Sequence, residues 1–156
     1  MSLVIPISKT IDFSVPAPID QAYALLADVP RSVHHFPKVD QVVKLSDDTY
    51  RWEMARMGIQ KLYLQIMYTS TYTFDSDQKW VRWSPVVGGN AEMGGLWQLS
   101  ETATGGTHIH FENEGKLILP VPRLMRMVVK PIATQRFMDM LDVYIENLKD
   151  TMATFG

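Results

Sequence analysis

Two short stretches carry the residue types from which metal or proton-transfer sites are commonly built. In "HIHFENE", residues 108–114, His108 and His110 share one strand face with Glu112 and Glu114, a spacing at which imidazoles and a carboxylate can capture a divalent ion. In "VPRSVHHFPKV", residues 29–39, His34 and His35 stand side by side ahead of a Phe-Pro break. Neither stretch is expected to hold a metal. Thr107, Ile109, Phe111, Asn113 and Leu117 are the better core residues of their strand, so alternation turns His108, His110, Glu112 and Glu114 toward solvent. Adjacent side chains on a helix diverge by about 100°, so His34 and His35 do not readily chelate one ion; one is expected exposed and one half-buried. No metal and no cofactor is expected.

A second kind of chemistry comes from polar groups in apolar registers. Arg56 and Asn113 fall on inward positions of strands whose other inward residues are aromatic or aliphatic. A buried charge or amide without a partner costs several kcal/mol, so each is expected to meet a carboxylate, a water or a ligand group, or, for Arg56, to reach a hydrated rim. Trp52, Met54, Tyr68, Tyr72, Trp83, Trp97, Phe111, Met125, Met138, Phe137 and Leu141 are the apolar candidates around them. Together they describe an apolar ligand pocket with Arg56 and Asn113 as its polar end, though the same aromatic stripe is also what a filled core looks like.

Composition bounds what these residues can serve. A chain of 156 residues, 46% hydrophobic and 10% aromatic, is long enough for one domain with a sizeable core, and residues 1–156 are read as one. A net charge of −2 without a Lys/Arg run disfavours nucleic acid as a partner. The absence of cysteine removes thiolate chemistry and disulfides and fits a reducing compartment. With no signal-peptide pattern at the start and no apolar run near membrane-spanning length, a cytoplasmic location is expected.

The elements that position these residues follow from periodicity. "SKTIDFSV" alternates as a strand with Ile11, Phe13 and Val15 on one side. "PAPIDQAYALLAD" reads as a short helix, with Ala22, Leu25 and Leu26 at helical spacing, and a second short helix is expected over Arg31 to Phe36. Val39 to Leu119 reads as six strands of an antiparallel meander, broken at "SDD" (46–48), "MGIQ" (57–60), "DSDQ" (75–78), "VGGN" (87–90) and "TGG" (104–106). One of these runs through "KLYLQIMYTSTYTF", with Leu62, Leu64, Ile66, Tyr68 and Tyr72 on one face. From Pro122 to about Thr151 the inward stripe Leu124, Val128, Phe137, Leu141, Tyr144, Leu148 and Met152 marks a long helix that Pro131 should bend. The fold class is α+β: a curved antiparallel sheet of about seven strands around a long C-terminal helix.

The order and spacing of "FSVPAPIDQAYALLADV" (13–29), "FPKV" (36–39), "KWVRWSPVVGG" (79–89), "GGLWQLS" (94–100), "GTHIHFENEGKLILPVP" (106–122) and the closing helix resemble the START-like (SRPBCC, Bet v 1-like) superfamily, especially its polyketide cyclase/dehydrase and lipid-transport branch. The resemblance covers nearly the whole chain and implies the helix-grip fold, with a cavity for a hydrophobic ligand between sheet and helix. It implies that Phe36 tucks inward and that the second short helix closes one end of the cavity. Fold does not settle function. The preferred expectation is a binder or carrier of a lipid, quinone, isoprenoid or polyketide-like molecule; the alternative is a cyclase/dehydratase-type enzyme using Tyr68, Tyr72, Arg56 or Asn113. Basic and apolar residues interleave near Arg123, Met125 and Arg126, which fits either a transient contact with a membrane surface or an ordinary amphipathic helix.

Overall fold

In the computed structural model, which describes residues 2–59 and 61–155, the chain opens with a long strand, β1 (Leu3–Val15). Leu3, Ile5, Ile7, Phe13 and Val15 are buried, as expected of a half-buried strand. The strand begins at Leu3 rather than Ser8, across Pro6, because β1 is an edge strand and an edge tolerates a residue without an N–H. Helix α1 (Ile19–Ala27) buries Ala22, Tyr23, Leu25 and Leu26. Helix α2 spans Val29–Val33, not Arg31 to Phe36. Pro30 sits in its first turn, where the missing N–H has no partner to lose, and the Asp28 carboxylate accepts the Arg31 N–H at 3.2 Å as its cap.

The main sheet is antiparallel and seven-stranded. Besides β1 it contains β2 (Val39–Lys44), β3 (Thr49–Met54), β6 (Met67–Asp75), β7 (Trp80–Val86), β8 (Ala91–Glu101) and β9 (Thr107–Leu119). The order across the sheet is β1-β9-β8-β7-β6-β3-β2. Between β3 and β6 the chain makes a separate two-stranded ribbon, β4 (Met57–Ile59) with β5 (Leu62–Leu64). The expectations of a break at 57–60 and of one strand from Lys61 to Phe74 are thus corrected, while Gln60 lies outside the described residues. Three residues of alternation, Met57 and Ile59 buried around Gly58, are too few to distinguish a strand from a turn in sequence.

Strand β7 pairs with β8 only from Trp80–Gln98 to Trp83–Gly95. Beyond it Pro85 has no N–H to offer and the two strands part. At the point of parting, a Cβ on Gly95 would lie 2.4 Å from the Trp83 ring and 2.2 Å from the Glu112 carbonyl oxygen. Glycine therefore makes the space that the Trp83 indole occupies on the concave face.

That face is covered by α3 (Arg126–Ala153), reached through a 3-10 turn at Arg123–Met125. Val129, Ala133, Phe137, Met140, Leu141, Tyr144, Ile145, Leu148 and Met152 are buried. Leu124 and Val128, expected inward, are 98% and 48% exposed. The buried stripe steps by four from Val129 through Ala133 to Phe137, so Val128 is one residue out of phase and Leu124 precedes the helix. Pro131 removes the bond to the Met127 carbonyl without ending the helix.

On the outer surface His108, His110 and Asp12 cross-link β9 to β1. Asp12 Oδ1 accepts from His110 Nδ1 at 2.8 Å and from His108 Nε2 at 3.1 Å, and Glu112 lies 3.2 Å from His110 Nε2. Both histidines face outward, and their ring nitrogens contact carboxylates; no group of three or more His, Asp or Glu among the described residues is arranged to hold a metal. The hydrogen bond to Asp12, with Glu112 adding to it, raises the His110 pKa, and the same contact lowers that of Asp12.

Two outcomes follow. The Asp12–His110 contact contributes stability in full below pH 6.5, the ordinary histidine value, and loses it as pH rises through the raised folded value. On the acid side its contribution is lost below pH 3.8, as Asp12 protonates at its lowered value. In urea denaturation, the gap between wild type and Asp12→Asn should therefore narrow on going from about pH 6 to about pH 9; a gap that stays constant would contradict the assignment. Gly95→Ala should cost about 1–3 kcal/mol, the range for overpacking, and shift tryptophan fluorescence as Trp83 is displaced; an unchanged urea midpoint would refute the close approach.

Candidate functional site

Between the concave sheet and α3 lies a void of about 30 Å³. Of the residues singled out in sequence, Trp52, Tyr68, Tyr72, Trp83, Trp97, Phe111, Asn113, Phe137 and Leu141 line it. Leu26, Val29, Ser32, Val33, Phe36 and Tyr144 complete the wall. Tyr144 was legible as part of the helix stripe, and the inward turn of Phe36 and the closure by α2 are as the family resemblance implied; the contribution of Leu26 from α1 was not legible, because nothing in its spacing says where that helix docks. A cavity needs roughly 10–15 Å³ per enclosed water, so the void has room for about two. Rings fill the rest: Trp97 and Phe111 are 4.4 Å apart between centroids, Trp52 and Tyr68 stack at 5.4 Å, and Phe36 meets Trp52 edge-on at 5.6 Å.

Four of the singled-out residues lie elsewhere, among them Met138 of α3, which is half-buried against the core and does not line the void. Met54 is buried at the end of β3 but does not reach the void, and Met125 packs against the core from the 3-10 turn, half-buried. Arg56 is exposed. Strand β3 ends at Met54, so the alternation that pointed Arg56 inward lapses before reaching it. Its side chain lines an open surface groove of about 380 Å³ with Lys38, Arg136 and Asp139.

Polar atoms in the interior are partnered almost entirely by one another. Trp52 Nε1 donates to the Tyr72 hydroxyl at 3.1 Å, Trp83 Nε1 donates to Asn113 Oδ1 at 3.2 Å, and Ser32 and Tyr144 share a hydrogen bond of 2.5 Å. Asn113 Nδ2 reaches the Met93 sulfur at 3.6 Å, so the amide finds protein partners rather than a ligand. Among the described residues every fully enclosed side-chain nitrogen or oxygen has a hydrogen-bond partner. Among the described residues neither Tyr68, 6% exposed, nor Trp97, 3% exposed, makes a side-chain hydrogen bond, so the Tyr68 hydroxyl and the Trp97 indole N–H open into the void that both residues line. Burial pushes the hydroxyls of Tyr68, Tyr72 and Tyr144 above the ordinary tyrosine pKa, with the neighbouring phenols adding to the shift at Tyr68 and Tyr72. All three are neutral at physiological pH, and Tyr68 offers an unspent O–H donor.

Helix α2 is fastened to α3 beneath this wall. His35 Nδ1 donates to the carbonyls of Arg31 at 3.0 Å and Ser32 at 3.2 Å, which leaves Nε2 to accept the Thr151 hydroxyl at 2.8 Å. Asn147 Nδ2 donates to the His35 carbonyl at 2.9 Å. His34 is exposed and His35 half-buried, as expected. Phe36 and Phe137, 6.4 Å apart, face the void, while their chain neighbours Pro37, Lys38 and Arg136 line the surface groove. At these two points of the chain, residues of the void and residues of the groove are immediate neighbours.

The whole arrangement has known counterparts. The chain is similar to a START superfamily protein from Mycobacterium smegmatis (12% identity, TM-score 0.66, covering 97% of this chain and 99% of that one). It is likewise similar to the Zhui aromatase/cyclase from Streptomyces sp. R1128 (11% identity, TM-score 0.65, covering 96% and 94%). At these identities the likeness is one of fold, the helix-grip architecture. No curated protein matches the chain by sequence. The profile of the family described as "Polyketide cyclase / dehydrase and lipid transport" matches residues 15–142, which takes in α1, α2, the strands from β2 to β9 and the first part of α3. With that match over most of its length, the chain belongs to the polyketide cyclase/dehydrase and lipid-transport family.

Proposed function

We propose that the protein binds a hydrophobic small molecule bearing an acidic or polar end, with its apolar body between the sheet and α3 and its head in the groove of Lys38, Arg56 and Arg136. The observation that carries this reading is that Phe36 and Phe137 of the aromatic interior are the direct chain neighbours of Pro37 and Arg136 of the groove that holds Lys38, Arg56 and Arg136. A ligand pocket occupies about 300 Å³ or more. The void of about 30 Å³ therefore belongs to a closed form, and uptake requires α2 and the Phe36 ring to move away from α3. Hydrogen bonds from His35 and Ser32, not close-packed strand pairing, are what such a motion breaks.

Binding is favoured over acid-base catalysis by the wall itself, in which no carboxylate or imidazole is found among the described residues. A cyclase/dehydratase-type reading rests on the free Tyr68 hydroxyl and the Trp97 indole N–H, which as neutral donors can polarise a carbonyl. Tyr72 and Asn113 already have partners, and Arg56 stands outside.

A polyene fatty acid and its methyl ester, followed by their fluorescence, test the proposal. The acid is expected to bind at micromolar concentration, equivalent to about −8 kcal/mol. Phe137→Trp should weaken both probes. Arg56→Ala should weaken the acid about fivefold, the upper end for an exposed ion pair, and leave the ester unchanged. Tyr68→Phe should weaken only ligands that carry a carbonyl within the apolar body. Absence of binding by either probe at about 50 micromolar would sink the proposal, and equal losses of acid and ester in Arg56→Ala would remove the groove from it.

A further inference from the structure

The four most exposed large apolar side chains among the described residues are Leu124 (98%), Met127 (91%), Val87 (81%) and Tyr63 (80%). They come from three separate segments: the β4–β5 ribbon, the β7–β8 turn and the start of α3. Sheet connectivity brings all three to one end. The Asn90 N–H donates to the Met67 carbonyl at 3.0 Å, and the Ile118 N–H to the Asn90 carbonyl at 2.7 Å, which ties the β7–β8 turn to the start of β6 and the end of β9. A cluster of this kind on a monomer's surface marks a site of contact.

Charge is divided along the same axis. Residues 55–66 and 120–131, the connections at this end, hold Arg56, Lys61, Arg123, Arg126 and Lys130 and no carboxylate. At the opposite end the β2–β3 and β6–β7 connections carry Asp47, Asp48 and Asp77, and Lys79 there is paired with Asp20 at 3.2 Å. Among the described residues Lys61, Arg123 and Lys130 form no ion pair. A protein of net charge −2 thus presents a cationic end studded with apolar tips.

We infer that this end docks on an anionic lipid surface, with Leu124, Met127, Val87 and Tyr63 entering the interface and Lys61, Arg123 and Lys130 meeting the headgroups. The cations decide the occupant. A second copy of the chain would set like charges against like, whereas an anionic interface satisfies apolar tips and cations together. Among the described residues no helix is long and apolar enough to cross a membrane, and the proposed contact is peripheral. This inference goes beyond the ligand reading and does not depend on it: vesicle binding and probe binding are separate measurements.

Co-sedimentation with phosphatidylcholine vesicles, with and without about 30% phosphatidylglycerol, tests it. Wild type is expected to sediment with the anionic vesicles at low salt, to bind the neutral ones far less, and to be released as salt is raised. Arg123→Ser and Lys130→Ser should each weaken the partition about fivefold, from about 1 kcal/mol per cation near the surface. Leu124→Asp/Met127→Asp should abolish it at an unchanged melting temperature, because both side chains are solvent-exposed. Phe74→Asp, at the opposite end, should have no effect. Failure of wild type to sediment with anionic vesicles at low salt overturns the inference, as does unaltered binding of the Leu124→Asp/Met127→Asp variant. A dimer in sedimentation velocity that the same variant disperses, without vesicle binding, would assign the surface to a second copy instead.

Discussion

The structure depends on a layer of aromatic rings that has to be closed off from water on both sides. Rings from β3, β6, β7, β8 and β9 stand on the concave face and converge on Phe137 and Tyr144 of α3. Burying rings of this size is strongly favourable, but each indole N–H and phenol O–H taken inside must be hydrogen-bonded. The pairs Trp52–Tyr72, Trp83–Asn113 and Tyr144–Ser32 meet that requirement from within the layer. Two groups on the void, the Tyr68 hydroxyl and the Trp97 indole N–H, are left over among the described residues.

The same constraint accounts for the division between rigid and movable parts. The sheet side of the layer is held by continuous strand pairing, thirteen residue pairs between β1 and β9 among them. The opposite side is held by α3 and, below it, by a helix of five residues attached through side-chain hydrogen bonds. Individual hydrogen bonds contribute about 1 kcal/mol net, so this is the side that opens at least cost. The groove beside it carries the cations Lys38, Arg56 and Arg136. The cationic apolar end lies at the start of α3, whereas α2 is held at Tyr144, Asn147 and Thr151 toward its C-terminal end, so the exposed apolar tips and the movable helix sit at different ends of α3.

Much of the fold was legible in the sequence because it follows from local periodicity. Strand alternation put Trp52, Tyr68, Tyr72, Trp97, Phe111 and Asn113 on the inner face, and the spacing of Phe137, Leu141, Tyr144 and Leu148 marked the covering helix, as the structure has them. Alternation also turned His108 and His110 outward. These readings depend only on a period of 2 or 3.6 and on which residues avoid water. Where the regular backbone stops, the reading stops too: Arg56 was drawn inward by extending β3 past Met54, and Leu124 by extending α3 back past Arg126.

What the sequence by itself determined is therefore which faces are apolar and in what order they follow one another. Only the tertiary structure decided how far the rings fill the space between those faces, leaving about 30 Å³ where sequence left open a cavity or a filled core. It also decided which side chains of α2, Val29, Ser32 and Val33, join Phe36 in the wall, and that the most exposed apolar tips gather with cations at one end. The physical reason is common to all three. Volume, docking of short helices and the gathering of loops depend on side chains distant in the chain meeting in space, and periodicity within an element carries no information about them.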